Sequence, residues 1–330
     1  MSKVLITTVP FSDKDKRPIE LLNNENIEYV INPIGRKLKE DELADMVADF
    51  DVIIAGTEAI TDRVMARARN LKLISRVGVG LDSVDILAAE RRGILVSYTP
   101  DAPAPAVAEL TLSFMFSLLR HTHIANLQMH RGEWNRHFGR RISEVTIGVI
   151  GLGRIGGRVL NMLSGLNHPR ILVNDIQSSL VAGFKGLNFT AVEKEIIYRE
   201  ADLISIHVPL TELTKNMISY NELKQMKRGA MIINTSRGGI INEKDLATIM
   251  NEGYLAGAAI DVFEQEPYNG ALSEIENCLL TSHMGSMSID CRSRMEIEAT
   301  EEAVRFLTGK MLLGLVPPEE YAMRKYSEAS

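Results

Sequence analysis

Cysteine is nearly absent: Cys278 and Cys291 are the only two in 330 residues. Two thiols cannot build a disulfide scaffold or a four-thiolate zinc site. A single bridge between them stays open, but two reduced thiols in a cytosolic protein is the favoured reading. A large excess of one charge is also missing. The 37 Lys+Arg against 43 Asp+Glu leave a net charge of −6. That argues against a nucleic-acid coat protein or a polybasic membrane binder, although a local basic patch survives such an average. No apolar run approaches the roughly 20 residues of a membrane span. The longest, residues 110–119, is broken by Thr111, Ser113 and Ser117. Met1 leads straight into a strand-like stretch at 3–9 with no basic region or small-residue cleavage site before it, so no signal peptide and a cytoplasmic location are expected. Internal repeats and low-complexity blocks are lacking too.

What is present is a globular composition: 45% apolar, 24% charged, 24 Gly and 11 Pro. At roughly 150 residues per domain the length suggests two. Short β-branched runs at 4–8, 27–31, 51–55, 73–77 and 94–97 alternate with helix-like stretches at 40–48, 61–68 and 83–91. Such alternation means crossover connections and a mainly parallel sheet. Pro100, Pro103 and Pro105 then disfavour helix and mark a hinge. A long helix is expected over 106–131. The alternation restarts with six strands, at 146–150, 171–174, 203–208, 231–234, 256–261 and 279–282. A last helix is expected over 289–307, its Glu296, Glu298, Glu301 and Glu302 forming a solvated face and not a metal cluster. The tail from Pro317 is expected to pack loosely.

The run Gly151-Leu152-Gly153-Arg154-Ile155-Gly156 sits between the strand at 146–150 and a helix-like stretch. Its first glycine permits the tight turn, the second lets the backbone approach a pyrophosphate, and the third lets the helix pack on the strand. The helix N-terminus then offers unbonded N–H groups to the phosphates. Asp175 closes the next strand, nineteen residues beyond Gly156, where a carboxylate accepts the ribose hydroxyls. Its charge opposes a 2′-phosphate, and Ile176, Gln177 and Ser178 supply no arginine, so NAD is expected over NADP. A whole α/β stretch precedes this fingerprint. That order implies a separate substrate domain and an active site in the cleft between the two.

A nicotinamide enzyme must supply an anion clamp, a proton donor and orientation. Later strand ends carry Asn234-Thr235-Ser236-Arg237-Gly238-Gly239, then Asp261-Val262-Phe263-Glu264-Gln265-Glu266-Pro267, then Leu280-Thr281-Ser282-His283-Met284-Gly285. Each offers one chemically capable residue: Arg237, Glu266 and His283. These motifs resemble the D-isomer-specific 2-hydroxyacid dehydrogenase family, in its branch similar to D-3-phosphoglycerate dehydrogenase. The likeness runs over 73–306. It includes Arg76-Val77-Gly78-Val79-Gly80-Leu81-Asp82, Ala106-Val107-Ala108-Glu109-Leu110-Thr111, the glycine fingerprint and His207-Val208-Pro209-Leu210-Thr211.

The resemblance implies an α/β fold of two Rossmann-like domains. A doubly wound parallel NAD-binding sheet, residues 101–286, is inserted in a smaller flavodoxin-like substrate domain made of 1–100 and 287–330. It implies His283 as acid/base, Glu266 as its partner, and Arg237 as carboxylate clamp and carbonyl polariser. A carboxylate beside an imidazole stabilises the protonated ring and fixes which nitrogen faces the substrate. Arginine holds a carboxylate through two parallel hydrogen bonds. On the cofactor side it implies Gly151, Gly153, Arg154, Ile155, Gly156, Asp175, His207, Pro209, Thr235, Ser236, Asp261 and Gly285. On the substrate side it implies Arg76, Val77, Gly78, Arg136 and Arg237, with backbone N–H groups of the 77–80 turn as a small anion nest. Arg76 and Arg136 would suit a second anionic group such as phosphate. Related formate dehydrogenases pair the histidine with Gln, so Glu266 speaks for a 2-hydroxy acid. Ser282 and the 100–105 loop depart from the commoner family pattern. His121, His123, His130 and His137 read as solvated or interface residues before metal ligands. The family implies a homodimer through the cofactor domain, contacting along the 106–131 helix, with no nucleic-acid or membrane partner. A phosphite-type dehydrogenase on the same scaffold and an NAD-sensing corepressor remain as alternatives.

Overall fold

The computed structural model describes residues 2–166, 170–184 and 186–328. The chain divides into two units. The first comprises Met1–Pro103 and Met287–Ser330, the second Ala104–Ser286. Each is a parallel sheet covered by helices.

In the first unit β1 (Lys3–Ile6), β2 (Glu28–Ile31), β3 (Val52–Ala55), β4 (Leu73–Arg76) and β5 (Leu95–Tyr98) stand in the order β2-β1-β3-β4-β5. Central strands buried on both faces read as continuous apolar runs. Val4, Ile6, Val52, Ile54 and Leu73 pack on one face with Met295, Ala299 and Ala303 of the helix Ile289–Leu307. Leu5, Ile53, Ile74 and Val96 pack on the other with Leu43, Val64 and Ile86.

In the second unit β6 (Thr146–Ile150), β7 (Arg170–Asn174), β8 (Thr190–Ala191), β9 (Leu203–Ile206), β10 (Met231–Asn234), β11 (Gly257–Ile260) and β12 (Cys278–Leu280) form a seven-stranded sheet, β12-β11-β10-β9-β6-β7-β8. The seventh strand, β8, is two exposed residues at the edge, too short to leave a hydropathy signal. Ile147, Val149, Val173 and Ile233 face one core, Ile204, Ile206, Ile232 and Ile260 the other.

Several expectations are corrected. The helix expected over 106–131 is two helices, Ala104–Arg120 and Thr122–His130, divided where His121 turns left-handed at φ 53°. The proline run does not exclude helix: Pro105 lies in the first turn, where its missing N–H has no partner to lose. Arg17–Asn24 is a helix the expected elements lacked, with proline at its start. The acidic face of the last long helix is not wholly solvated. Glu296 and Glu302 are 3% and 4% exposed. Glu296 accepts the N–H of Ser12 at 2.8 Å and Arg292 Nε at 2.6 Å. Glu302 accepts the N–H groups of Leu313 and Gly314 and the guanidinium of Arg305. The tail forms a helix, Pro318–Glu328, and Tyr321 packs against the first unit's core. Cys278 and Cys291 are buried and unbridged, one in each unit. Among the described residues no helix is long and apolar enough to cross a membrane.

Candidate active site

The glycine turn after β6 is built for close approach. Gly151 has φ 92°, and a Cβ there would stand 2.6 Å from the carbonyl oxygen of His207. A Cβ on Gly156 would stand 1.9 Å from Gly151 O, so the helix Arg154–Ser164 packs directly on the turn. At Gly153 a Cβ would meet nothing within 4 Å, which leaves that face of the backbone open. Arg154 and Ile155 begin the helix there, presenting first-turn amides and the positive end of its dipole. This cradle fits a dinucleotide's diphosphate. Asp175, just past β7, accepts Leu152 N–H at 2.7 Å through Oδ2 and Gln177 N–H at 2.8 Å through Oδ1. It therefore ties the turn to the end of β7, and each oxygen keeps a second lone pair for a ribose hydroxyl. His207 lies against the same turn. Its Nε2 is 2.8 Å from Ser205 Oγ, and its Nδ1 is shut from solvent without a partner. Burial pushes this imidazole down to about 3, so the ring is neutral. Pro209 is exposed, and its carbonyl takes the hydroxyl of Thr214 at 2.6 Å.

Three neighbouring strand ends shape the remainder. After β10, Asn234 Oδ1 accepts the N–H and hydroxyl of Ser236 at 3.0 and 2.8 Å, while its Nδ2 donates to Arg237 O at 2.8 Å. The side chain thus staples the turn that presents Arg237. Thr235, 5% exposed, bonds Thr111 of the helix Ala104–Arg120 at 2.9 Å. Arg237 is half-buried, and its Nη1 donates to Ser236 O at 2.7 Å. A Cβ on Gly238 would fall 1.9 Å from the carbonyl carbon of Phe263, so this turn abuts the loop carrying Glu266.

His283, after β12, has φ 51° and places Nδ1 2.9 Å from Glu266 Oε2 and 3.0 Å from Oε1. The two side chains are 37% and 31% exposed. Glu266 Oε1 also accepts Phe263 N–H at 3.2 Å. Asp261, only 1% exposed, organises the histidine's loop. Its Oδ1 accepts Thr281 Oγ1 at 2.5 Å and Met284 N–H at 2.8 Å, and its Oδ2 accepts Gly285 N–H at 2.8 Å. Its carbonyl takes His283 N–H at 2.8 Å.

Of the expected substrate-side residues, Arg76, Val77 and Gly78 are engaged within the first unit. Arg76, 6% exposed, turns back so that Nη1 donates to the carbonyl of Val77. The N–H of Val77 goes to Ala55 O at 2.9 Å and that of Gly78 to Thr99 Oγ1 at 2.8 Å. Neither is available to an anion. The N–H groups of Val79 and Gly80 form no hydrogen bond among the described residues. Arg136 is exposed in the second unit, between Trp134 and Phe138, which are 75% and 101% exposed. His121 and His137 rings lie 5.8 Å apart, and His137 Nε2 is 2.7 Å from Gln128 Oε1. Among the described residues no group of three His, Cys, Asp or Glu is placed to hold a metal.

Residues 112–285 match the model of the D-isomer specific 2-hydroxyacid dehydrogenase NAD binding domain. The chain belongs to this family. A D-3-phosphoglycerate dehydrogenase of Synechocystis sp. is 35% identical over 82% of the chain, which spans about half, 50%, of that relative's length. A glyoxylate reductase of Thermofilum pendens is 35% identical over 86% of each chain. The structure of the TT0316 protein of Thermus thermophilus superimposes with TM-score 0.86 at 30% identity, over 96% of this chain and 100% of the other. Members of the family are NAD-dependent oxidoreductases, and the cofactor of this chain's second unit is NAD.

Within this 2-hydroxyacid dehydrogenase framework the sequence reading missed what supports the chemistry. Asp261 was expected at the cofactor, yet three protein donors converge on its buried carboxylate. Thr99 left no signal, because a threonine just after a strand looks like filler.

Proposed function

We propose that the chain interconverts a D-2-hydroxy acid and its 2-keto acid. The observation that carries this reading is the His283–Glu266 pair at 2.9 Å beside the Arg237 turn. When bound at the glycine turn, NAD would supply or accept the hydride. With Nδ1 hydrogen-bonded to Glu266, His283 presents Nε2 to the substrate oxygen. It gives that atom a proton on reduction and takes it back on oxidation. Glu266 holds the tautomer and stabilises the ring when it is charged. Arg237 clamps the substrate carboxylate and polarises the neighbouring carbonyl.

The finer expectation, a phosphorylated or otherwise dianionic acid, draws on Arg76 and Arg136 and on relatives named D-3-phosphoglycerate dehydrogenase. The inward turn of Arg76 removes part of its support, while the relative named glyoxylate reductase supports a shorter acid. A homodimer through the second unit is supported by the exposed Leu127, Met129, Trp134 and Phe138, and light scattering measures it. NADH oxidation across a panel of 2-keto acids including 3-phosphohydroxypyruvate, with phosphite and NAD in parallel, tests the reaction. His283→Asn is expected to lower kcat about 10²–10⁴-fold with NADH still bound. Near-normal turnover removes His283 from the reaction. Inactivity with every acid, alongside NAD-dependent partner binding, favours the corepressor reading.

A further inference from the structure

The second unit holds a carboxylate that the reaction above does not use. Just beyond Arg237 the chain enters the helix Glu243–Asn251, capped where Asn242 Oδ1 accepts Asp245 N–H at 3.1 Å. The cap fixes Glu243 at the first helical position, where it is half-buried. Its Oε1 accepts Glu264 N–H at 2.6 Å. The loop after β11 is thus held at two consecutive residues by the segment that presents Arg237. Gly238 abuts the backbone of Phe263, and Glu243 bonds that of Glu264. Glu243, Gly238 and Gly239 also line one small cavity with Val262. Phe263 N–H goes in turn to Glu266 Oε1 at 3.2 Å, and Glu266 Oε2 stands 2.9 Å from His283 Nδ1. Glu243, Glu266 and His283 therefore belong to one run of contacts inside Ala104–Ser286.

Burial pushes the Glu243 carboxyl above its ordinary range, the Glu264 N–H draws it down, and the negative charges of Glu264 and Glu266 push it up again. Coulomb interaction is mutual, so the repulsion that Glu266 exerts on Glu243 is returned in full. Like charges gathered along one loop are unfavourable unless a cation offsets them, and a protonated His283 is such a cation. We propose that Glu243 is a positioning residue for the acid/base pair: it anchors the loop that carries Glu266, and its negative charge, standing behind Glu266, helps keep the proton on His283. The proposal rests on the 2-hydroxy acid reading above. Other charges surround the run within the second unit. Arg237 lies on the neighbouring turn, and Asp261 on the histidine's own loop takes three protein donors. The helix of Glu243 adds Lys244 and Asp245, the latter bonded to Tyr220 N–H at 2.9 Å. On elements packed against that helix, Glu274 is exposed, Glu222 takes Ser219 N–H at 3.0 Å, and Lys224 pairs with Glu252 at 2.6 Å. The segment before Asn216, whose N–H meets Gly239 O, carries exposed Glu212 and Lys215.

The experiment records kcat/KM for keto-acid reduction against pH in wild type, Glu243→Gln and Glu243→Ala, with Tm measured for each. Reduction needs the protonated ring, so it falls as pH rises through the midpoint at which His283 loses its proton. Glutamine keeps an oxygen for Glu264 N–H and lacks the charge. Glu243→Gln is expected to stay within about threefold of wild type on the low-pH plateau and to move the midpoint down by about half a pH unit. Alanine loses the anchor as well, so Glu243→Ala is expected to show the same displacement with a plateau about tenfold lower. A merely structural role lowers Tm or the plateau and leaves the midpoint in place, which overturns the proposal while the reaction stands. NMR titration of the His283 ring, identified by its loss in His283→Asn, follows the proton without turnover. A ring midpoint equal in wild type and Glu243→Gln overturns the proposal; a lower one in the variant supports it. Turnover of no acid by the wild type overturns the reaction instead, and the ring titration still decides the role of Glu243.

Discussion

Gly238→Ala tests whether the loops of Arg237 and Glu266 support one another. The added Cβ would fall 1.9 Å from the carbonyl carbon of Phe263, 2.1 Å from its oxygen and 2.4 Å from the N of Glu264. Ordinary contact begins at 3.4 Å, so about 1.5 Å must be recovered. All three obstructing atoms are backbone, and no rotamer change relieves them. Retreat of Phe263 and Glu264 is carried to Glu266, whose Oε1 accepts Phe263 N–H at 3.2 Å, and so to His283. Overpacking of this kind costs about 1–3 kcal/mol, which a domain stable by about 5–15 kcal/mol survives. A misplacement of about 1 Å at reacting groups costs about 10²-fold in rate. The variant is therefore expected to fold, with a lowered Tm, and to lose about 10²-fold in kcat on the best keto acid. Gly239→Ala is the control. It has φ 80°, and its Cβ would meet only Glu264 Cγ at 3.7 Å and Leu210 Cδ1 at 3.8 Å. Backbone strain of about 1–2 kcal/mol lowers its stability without displacing a loop. A folded Gly238→Ala protein with kcat within twofold of wild type refutes the coupling, as does a larger kcat loss in Gly239→Ala.

Asp175→Ala is expected to weaken NADH binding more than NADPH binding, because the carboxylate that accepts ribose hydroxyls also opposes a 2′-phosphate; equal effects in fluorescence titrations count against that. Glu302→Ala strands the N–H groups of Leu313 and Gly314 and is expected to cost about 1–3 kcal/mol in denaturant unfolding, with a loss below about 0.5 kcal/mol contradicting it. His207 titrates near 6.5 when unfolded and about 3 when folded. The unfolded chain takes this proton first as pH falls, so the stability it contributes is full above pH 6.5 and is lost toward about pH 3. His207→Gln is expected to flatten that part of the stability profile, and an unaltered slope removes the assignment.

The legible parts were those in which one residue type answers one geometric demand. Gly151, Gly153 and Gly156 declared the dinucleotide turn because each space there admits no side chain or needs none. The strands declared themselves because burial on both faces demands apolar runs, unbroken in β3. What stayed hidden depends on partners distant in sequence. Glu296 looked like solvated charge until Ser12 and Arg292 met it. The break at His121 is a single left-handed residue in a run whose apolar spacing continues across it. Arg76 stood in the right motif, but its direction is set by the carbonyl of Val77, which no spacing rule foresees.

The placement of the second unit within the first orders events during synthesis. All five strands of the first sheet emerge from the ribosome early, yet the helix Ile289–Leu307 that roofs one face is translated only after Ala104–Ser286. The nascent first sheet must wait with Val4, Ile54 and Leu73 uncovered, while the inserted unit has every strand it needs and can close ahead of its host. Chaperone capture is accordingly expected on the earlier-made half.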